Sequence, residues 1–315
     1  MSDASTPSNA PRRNHYIPEF YLRRWAGQDG RVCQFARPSK AAVRGALAPV
    51  KALRRHPSQT GFEVDLYALN SIAVEGRAYL EEKFFKLVDQ EAADALTSIE
   101  TNTIADLSSN NRSGWARFII SLIHRHPEKI EALRGYALAK ALEAAHETEA
   151  GRAVREKYKN SEKADETVAR LVHQAADINL ANSLAAIIDS ENVGNHLIQM
   201  RWSVLTVTEP TLTFLTSDRP VVMSDGVNKP DSYIIVAIGP SKAFFACNSL
   251  EMERYVHRIP WEQIMQFAND IVVRQACNFV YGFDDSQLQF VESRLGKQPA
   301  QFIAGKVLLE KRKRS

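Results

Sequence analysis

The pattern of apolar residues changes near Met200, and this change constrains the fold more than any other feature of the chain. From about Ile72 to Ile188 apolar positions recur with the period of amphipathic helices. After Met200 they alternate as they do in half-buried strands. A helical stretch followed by a strand-rich one predicts an α+β fold, with a central layer of about four helices and a mostly antiparallel β-sheet.

The same patterns predict the individual elements. The four central helices are expected at about 72–107, 113–126, 127–159 and 161–188, and further helices at about 18–25, 261–276 and 287–295. Strands are expected at about 32–35, 62–69, 202–208, 212–216, 233–238, 243–247 and 279–281. We expect a disordered tail over 1–13, one α+β domain over 14–305 and a basic tail over 306–315.

Composition excludes several classes of protein. The chain has no run of roughly 18 apolar residues and it starts with a polar segment, so we expect a cytoplasmic protein with no membrane partner. Cys33, Cys247 and Cys277 form no Cys-x-x-Cys pair, which argues against zinc or redox chemistry through thiolates. The net charge of +3 is too small to indicate nucleic acid as a partner, although nucleic acid stays among the candidates.

Two motifs suggest a family. One is the aromatic-rich segment from Asn14 to Trp25, and the other runs from Phe214 to Pro220 and contains Ser217-Asp218-Arg219-Pro220. Together they resemble the bacterial DUF4238 family, whose members begin with His-Tyr-(Val/Ile)-Pro-x-Phe-Tyr-Leu and carry a Ser-Asp-x-Pro turn. The family has no established activity. The resemblance also implies an arginine and a proline that Arg125 and Pro127 match.

The first motif contains a predicted anion site. His15 precedes Pro18, which begins a short helix, and the free N–H groups at such an end attract anions. Arg23 and Arg24 follow about one helical turn later and would add guanidinium groups that bind an anion. The alternative is that the motif only fixes the N-terminal segment in the core, with His15 bonded to a backbone carbonyl.

Polar residues also fall on predicted apolar helix faces. Glu91 lies among apolar positions of the first central helix, where a carboxylate needs a metal, a polar cavity or an ion pair with an arginine such as Arg23 or Arg117. His126 aligns with the apolar face of the second helix, as a ligand, a hydrogen-bonded core residue or a cation at the helix end. Arg125, next to it, is a further candidate for anion binding.

Three acidic residues in the strand-rich regions are metal candidates. Asp218 follows an apolar strand, so it either binds a metal, orients a histidine, or only stabilises its own turn. Glu63 and Asp65 alternate with apolar residues, which places both on one face of the strand predicted at 62–69. That face either holds a divalent cation or is a solvated edge.

These residues support three hypotheses. In the first, the protein is a metal-dependent phosphodiesterase or nuclease-like hydrolase: Glu91 and Asp218 hold Mg²⁺ or Mn²⁺, His15 is the general base, and Arg23 or Arg24 stabilises the developing charge. In the second, the same groups bind a nucleotide, nucleic acid or protein without turnover. In the third they are architectural. The first two require His15, Glu91, His126 and Asp218 to converge.

Overall fold

The computed structural model describes residues 13–38, 48–73, 76–101, 103–159, 164–208, 212–224 and 226–297, so the predicted 306–315 tail and most of the 1–13 tail lie outside the described residues. The helices are α1 (Glu19–Leu22), α2 (Lys86–Thr101), α3 (Ser109–His124), α4 (Pro127–Glu147), α5 (Glu149–Tyr158), α6 (Ala164–Ile188), α7 (Glu191–Gln199), α8 (Leu250–Val256), α9 (Trp261–Gln275) and α10 (Leu288–Glu292). A π-helical turn over Leu80–Phe85 leads into α2.

The strands are β1 (Arg13–His15), β2 (Val32–Ala36), β3 (Lys51–Arg55), β4 (Phe62–Val64), β5 (Arg201–Thr206), β6 (Thr216–Ser217), β7 (Val221–Met223), β8 (Tyr233–Gly239), β9 (Lys242–Cys247) and β10 (Phe279–Gly282). Within the described ranges they form three sheets with the orders β1-β4, β3-β2-β10-β6 and β5-β9-β8-β7. All described pairs are antiparallel. The α+β prediction is therefore confirmed, with three sheets in place of one.

The N-terminal motif lies in the interior. After β1 the chain turns at Tyr16 and Ile17, whose backbone N–H groups both donate to the Gly61 carbonyl at 2.9 and 3.1 Å. Gly61 has a φ of 67°, and a Cβ there would lie 3.2 Å from Ile17, so both conformation and space favour glycine. The motif is thereby joined to the segment before β4.

Helix α3 connects the motif to the third sheet. The Phe118 ring lies 5.9 Å from that of Tyr21 in α1, and the Trp115 ring lies 5.6 Å from that of Phe244 in β9. All four side chains are buried. Because one helix contacts both layers, its C-terminal end has a fixed position, and α4 begins from that end.

The predicted bounds of the helices need correction. The first central helix begins at the π-helical turn near Leu80, not at Ile72, and Leu87 is 50% exposed, although it was predicted on the apolar face. A π-helical turn has one more residue than an α-helical turn, and it shifts the buried face that follows. The third helix ends at Thr148, because the Thr148 hydroxyl caps α5 by accepting from the Gly151 N–H at 3.0 Å.

Some strands also differ from their predictions. The strand predicted at 62–69 ends at Val64, and the one predicted at 212–216 contains only Thr216–Ser217, which pairs in the second sheet. Strand β3 was not predicted because most of its residues are charged. Strand β7 has only three residues, too few to show a clear alternation of apolar and polar positions. Helices α7 and α8, of nine and seven residues, were not predicted for the same reason.

Helices α4, α5 and α6 form a helical arm. Its distal part has a small apolar cluster of Ala141, Val172 and Ala176, separate from the main core. Helix α5 contributes no buried residue. Among the described residues, no helix is both long and apolar enough to cross a bilayer.

Candidate functional site

The site forms where α4 begins. Arg125 ends α3, and His126 caps α4 because its Nδ1 accepts from the Glu128 N–H at 3.3 Å. Pro127 occupies the first helical position, where its missing N–H costs no helical hydrogen bond. His126 is 3% exposed, whereas the Glu128 side chain is 51% exposed. The His126 side chain is therefore buried, whereas the Glu128 side chain reaches solvent.

Cys277 completes this group from the other half of the chain. It lies between α9 and β10, in a loop that Asp218 holds in place. The buried Asp218 carboxylate accepts three backbone N–H bonds, from Cys277 at 2.8 Å, Asn278 at 2.6 Å and Phe279 at 3.0 Å. Both of its oxygens are thus engaged. Asp218 supports the loop and is not available as a metal ligand.

Three potential metal ligands come together here. One ligand atom from each of His126, Glu128 and Cys277 lies within 4.8 Å of the other two, and the Cys277 Sγ lies 3.2 Å from the Glu128 Oε1. Zinc bonds of about 2.0–2.3 Å separate neighbouring ligands by about 3.3–3.8 Å in a tetrahedron. The three side chains, which we call the ligand triad, therefore need only small movements to bind one ion.

Charged groups border the ligand triad. Arg219 forms an ion pair with the Glu128 carboxylate, and Lys129 lies close enough for Arg219 to affect its pKa. Burial opposes ionisation of Glu128, but the Cys277 thiol and the Arg219 guanidinium together lower the pKa of that carboxyl. Burial, with the nearby Asp218 charge, raises the pKa of the Cys277 thiol to about 12. An ion that binds there would have to displace the thiol proton.

The N-terminal motif contacts the ligand triad through Tyr16. The Tyr16 ring meets the His126 ring edge-on, with centroids 5.5 Å apart. Burial, together with the Tyr281 and Asp218 charges, raises the pKa of Tyr16 far above its usual value, so the phenol stays neutral. His15 precedes Tyr16, and its ring packs against Phe62 with centroids 5.6 Å apart.

His15 itself is partly buried and near Arg125. Burial lowers the pKa of His15, and Arg125 and Arg13 lower it further against the opposing charge of Glu19. Its Nε2 has no hydrogen-bond partner among the described residues. The Pro57 backbone forms a hydrogen bond with the His15 ring, which is the kind of bond that the alternative expected. The predicted role of His15 as general base stays a prediction.

Arg125 is part of a buried polar layer next to the site. Its fully buried side chain forms an ion pair with Asp89, and Nη1 donates to Oδ2 at 3.3 Å. Burial raises the pKa of Asp89 to about 6, although the Arg125 charge opposes this rise. The Arg125 guanidinium, which was predicted to bind an anion, is therefore already paired with the Asp89 carboxylate of the protein itself.

Glu91 stands apart from the site. The buried face of α2 consists of Val88, Ala92, Ala95, Leu96 and Ile99, and the Glu91 side chain is 41% exposed. It accepts from Arg117 Nη1 at 2.9 Å, so the structure contains the ion pair that was the alternative. The expected convergence of all four polar residues is wrong for Glu91, because the π-helical turn rotates it off the buried face. His126 and Asp218 each adjoin Cys277, His126 at its side chain and Asp218 at its backbone N–H.

The other predicted residues are engaged elsewhere. Arg23 pairs with Glu19, and Arg24 pairs with Glu100 while its Nε donates to the Ile238 carbonyl at 3.3 Å. Glu63 and Asp65 are exposed. Asp65 lies beyond the end of β4 with a φ of 55°, so the two carboxylates do not share a strand face.

Sequence reasoning missed Glu128 and Cys277. The spacing His126-Pro127-Glu128 at a helix start was a usable signal, because a capping residue and a first-turn residue face the same helix end. Cys277 gave no local signal, since its partner ligands lie in α4, far away in sequence. Only the pairing of the Asp218 turn with the loop after α9 brings that thiol to the site.

The chain was compared with known proteins in three ways. A family model described as "Protein of unknown function (DUF4238)" matches residues 13–286. No curated protein and no solved structure matches the chain. The match includes both motifs and all three residues of the ligand triad.

Proposed function

Because the chain belongs to the DUF4238 family, which has no assigned reaction, we propose a function from the geometry of its site. The proposed activity is metal-dependent hydrolysis of phosphodiesters, with the ion bound by His126, Glu128 and Cys277. The single observation that carries it is the meeting of these three ligand atoms within 4.8 Å.

The ligand set determines the class of ion. Imidazole and thiolate ligands favour zinc and related transition metals, whereas Mg²⁺ and Mn²⁺ prefer oxygen. We therefore propose a zinc-class ion in place of the Mg²⁺ or Mn²⁺ expected with carboxylate ligands, and in place of the expectation that the cysteines take no part in zinc chemistry. Catalytic zinc sites have three protein ligands and one open position, and the exposure of Glu128 supports access of solvent to such a position. A bound ion would activate water at this position.

The surrounding charges support an anionic substrate. Arg219 and Lys129 both lie beside the triad, and burial next to Arg219 lowers the pKa of Lys129. A phosphodiester carries one negative charge, which a bound divalent ion would attract; Arg219, already paired with Glu128, would add only to the local positive field. Hydrolysis adds water across one P–O bond and gives a phosphate monoester and an alcohol. Nucleic acid, RNA or DNA, is the substrate class we propose, and a thiol ligand fits the reducing cytoplasm that the sequence suggests.

The activity can be tested with purified protein. Bis(4-nitrophenyl) phosphate and RNA and DNA oligonucleotides are incubated with Zn²⁺, Mn²⁺ or Mg²⁺, and with EDTA as the metal-free reference. Cys277→Ser and Glu128→Gln should lower the rate roughly 100-fold, because each removes one ligand. Glu91→Gln is the matched control, since that carboxylate lies outside the site, and should keep the rate. Absence of metal-stimulated hydrolysis on every substrate would refute the proposal.

A second candidate function is binding of a metal and an anion without turnover. One observation favours it: the Glu128 and Asp218 carboxylates are both engaged in hydrogen bonds, which leaves neither free for proton transfer. In that case Zn²⁺ with inorganic phosphate should raise the melting temperature, by mass action on the folded state, with no product formed. Cys277→Ser should abolish this rise.

A further inference from the structure

The turn Ser217-Asp218-Arg219-Pro220 forms hydrogen bonds with two residues of the ligand triad, Cys277 and Glu128. We propose that Asp218 and Arg219 are positioning residues of the metal centre: Asp218 sets the place of Cys277, and Arg219 sets the orientation of Glu128. This inference rests on the proposed metal site, but not on the reaction that the metal performs. It assigns a role to a motif whose residues do not themselves reach the ion.

Asp218 fixes the loop that carries the thiol. Its Oδ1 accepts from the Cys277 N–H, and its Oδ2 accepts from the next two N–H groups, Asn278 and Phe279. Its own N–H donates to the Phe279 carbonyl at 3.0 Å. Four hydrogen bonds thus join one residue to three consecutive residues. The Cβ atom of Cys277 has little freedom to move, because the backbone N–H groups of Cys277 and of the next two residues all donate to the Asp218 carboxylate.

Arg219 holds one side of the Glu128 carboxylate. Its Nη2 donates to Oε2, which leaves Oε1 directed at the Cys277 Sγ, 3.2 Å away. The Arg219 side chain is only 15% exposed. Its guanidinium also approaches the Gln275 carbonyl, and the Gln275 amide donates back to the Arg219 carbonyl at 2.5 Å. The arginine is therefore anchored on both its backbone and its side chain.

The two contacts have a common consequence for metal binding. A flexible glutamate on the first turn of a helix samples many rotamers, and binding an ion would have to select one. Arg219 selects one beforehand and offers Oε1 toward the other ligands. Hydrogen-bond partners of metal ligands typically change metal affinity by about 10- to 100-fold. Such a change is the expected size of the effect here.

Cobalt(II) titration of the full chain tests the inference. Co²⁺ replaces zinc in such sites, and a Cys–Co²⁺ bond gives a near-ultraviolet charge-transfer band that reports the thiolate directly. Arg219→Gln should bind Co²⁺ about 10- to 100-fold more weakly than the wild type, and Arg219→Lys should recover part of the loss. Arg54→Gln is the matched control, because Arg54 forms an exposed ion pair with Asp29 and contacts no ligand.

Asp218→Asn provides the second arm. An amide cannot accept all three backbone N–H bonds, so the charge-transfer band should be lost or shifted even where the circular dichroism spectrum remains native. If this variant does not fold, the two Arg219 variants decide alone. Equal Co²⁺ affinity in the wild type and Arg219→Gln would overturn the inference. Absence of the band in the wild type would overturn it together with the metal centre, whereas Co²⁺ binding without hydrolysis would refute only the proposed reaction.

Discussion

At the scale of single residues, the N-terminal motif stabilises the fold through buried hydrogen bonds to distant parts of the chain. The Tyr21 hydroxyl donates to the Ala237 carbonyl at 2.7 Å and lies 3.0 Å from the Thr216 hydroxyl. The Trp25 indole N–H donates to the Phe214 carbonyl at 2.7 Å. These contacts show why the motif contains aromatic residues with polar tips, which fill the core and satisfy its carbonyls.

Replacing Tyr21 with phenylalanine should lower the free energy of unfolding by about 1–3 kcal/mol. The change removes one hydroxyl and leaves the buried Ala237 carbonyl without that bond, and an unsatisfied buried acceptor costs about this much. Urea unfolding followed by circular dichroism measures the difference. Tyr255→Phe is the control, because Tyr255 is 60% exposed and should change stability by less than about 0.5 kcal/mol. Equal effects would show that the buried bond contributes nothing.

Glu81 should make stability depend on pH. Burial, with the Asp89 charge, raises the pKa of Glu81 from 4.5 to about 7, against the opposing Arg125 charge and a bond from Asn14. Between these pH values the folded protein binds more protons than the unfolded chain, so this carboxyl lowers stability as pH rises from about 4.5 to about 7. The loss should level off above that range.

The matching experiment compares the wild type with Glu81→Gln, which cannot ionise. Relative to the wild type, the variant should gain about 2 kcal/mol of stability between pH 5 and pH 8, measured by urea unfolding. The difference between the two proteins isolates Glu81, because Asp89 and Asp218, whose pKa values burial also raises, are present in both. A difference that is constant with pH would contradict the raised pKa.

Residue types alone predicted only part of the site, and there is a physical reason why the rest could not be predicted. His126 was visible because a polar group interrupted an apolar pattern, and Asp218 because it follows an apolar strand within the Ser217-Asp218-Arg219-Pro220 motif. Glu128 and Cys277 were not, since one lies on an exposed helix turn and the other in a loop, where polar residues are ordinary. Glu91 was misleading for the opposite reason, because its place on the buried face depended on an uninterrupted helix.

At the scale of elements, α2 and α3 pack in close contact at one glycine. A Cβ on Gly114 would lie 3.1 Å from both the Cβ and the carbonyl oxygen of Glu91. Gly135 in α4 has no atom within 4 Å of the same position. The two glycines therefore have different roles: the first allows close approach of two helices, and the second lies on an open face.

Gly114→Val should lower stability by about 1–3 kcal/mol, because the added methyl groups must push α2 and α3 apart. Gly135→Val should change stability by less than about 0.5 kcal/mol, since valine and glycine have similar helix propensities and the site has room. Thermal unfolding of both variants measures the contrast. Similar losses in the two proteins would argue against the tight packing at Gly114.

Elements with long, regular patterns were predictable, and short ones were not. The positions of α6, α9, β8 and β9 agree with the sequence pattern because each has enough periods to show one. The π-helical turn before α2 left no local trace, because it arises where packing requires an extra residue. Strand β6 of two residues exists only through its partner β10, which is a tertiary effect.

At the scale of the whole molecule, stability should be uneven. The main core includes residues of both four-stranded sheets and of α2, α3 and α9, whereas the distal α4–α6 arm has its own small cluster. A groove of about 610 Å³ lies in that arm, lined by Leu138, Leu142 and Val172 among others, so these side chains have fewer packing neighbours. Few buried contacts favour local opening.

Hydrogen–deuterium exchange with mass spectrometry should show this difference. Amides of α5 and of the distal ends of α4 and α6 should exchange faster than those of β8 and β9. The reason is that local opening of the arm costs less free energy than the global unfolding that exposes the core strands. Zn²⁺ should slow exchange at the start of α4 and leave the distal arm unchanged. Uniform protection across the chain would contradict the separation of the two clusters.

The fold class was predictable from the sequence because it depends on averages over many residues. The way the sheets are divided was not, since pairing between remote strands leaves no local trace. The second sheet is the clearest case: β2 pairs with β10, with Cys33 opposite Gly282. Its central pair thus joins a strand near the start of the described chain to one near its end.

That pairing matters while the protein is being made. A ribosome releases the N-terminal motif early, but Tyr21 and Trp25 meet their hydrogen-bond partners only when residues 214–237 have left the exit tunnel. Strand β2 can pair with the nearby β3 much earlier, but it pairs with β10 only when Gly282 has emerged. For much of synthesis, these aromatic side chains lack the strands that complete their burial in the folded protein. The nascent polypeptide should therefore depend on chaperones that shield apolar segments, and chains stalled before β10 should be rapid targets for proteases.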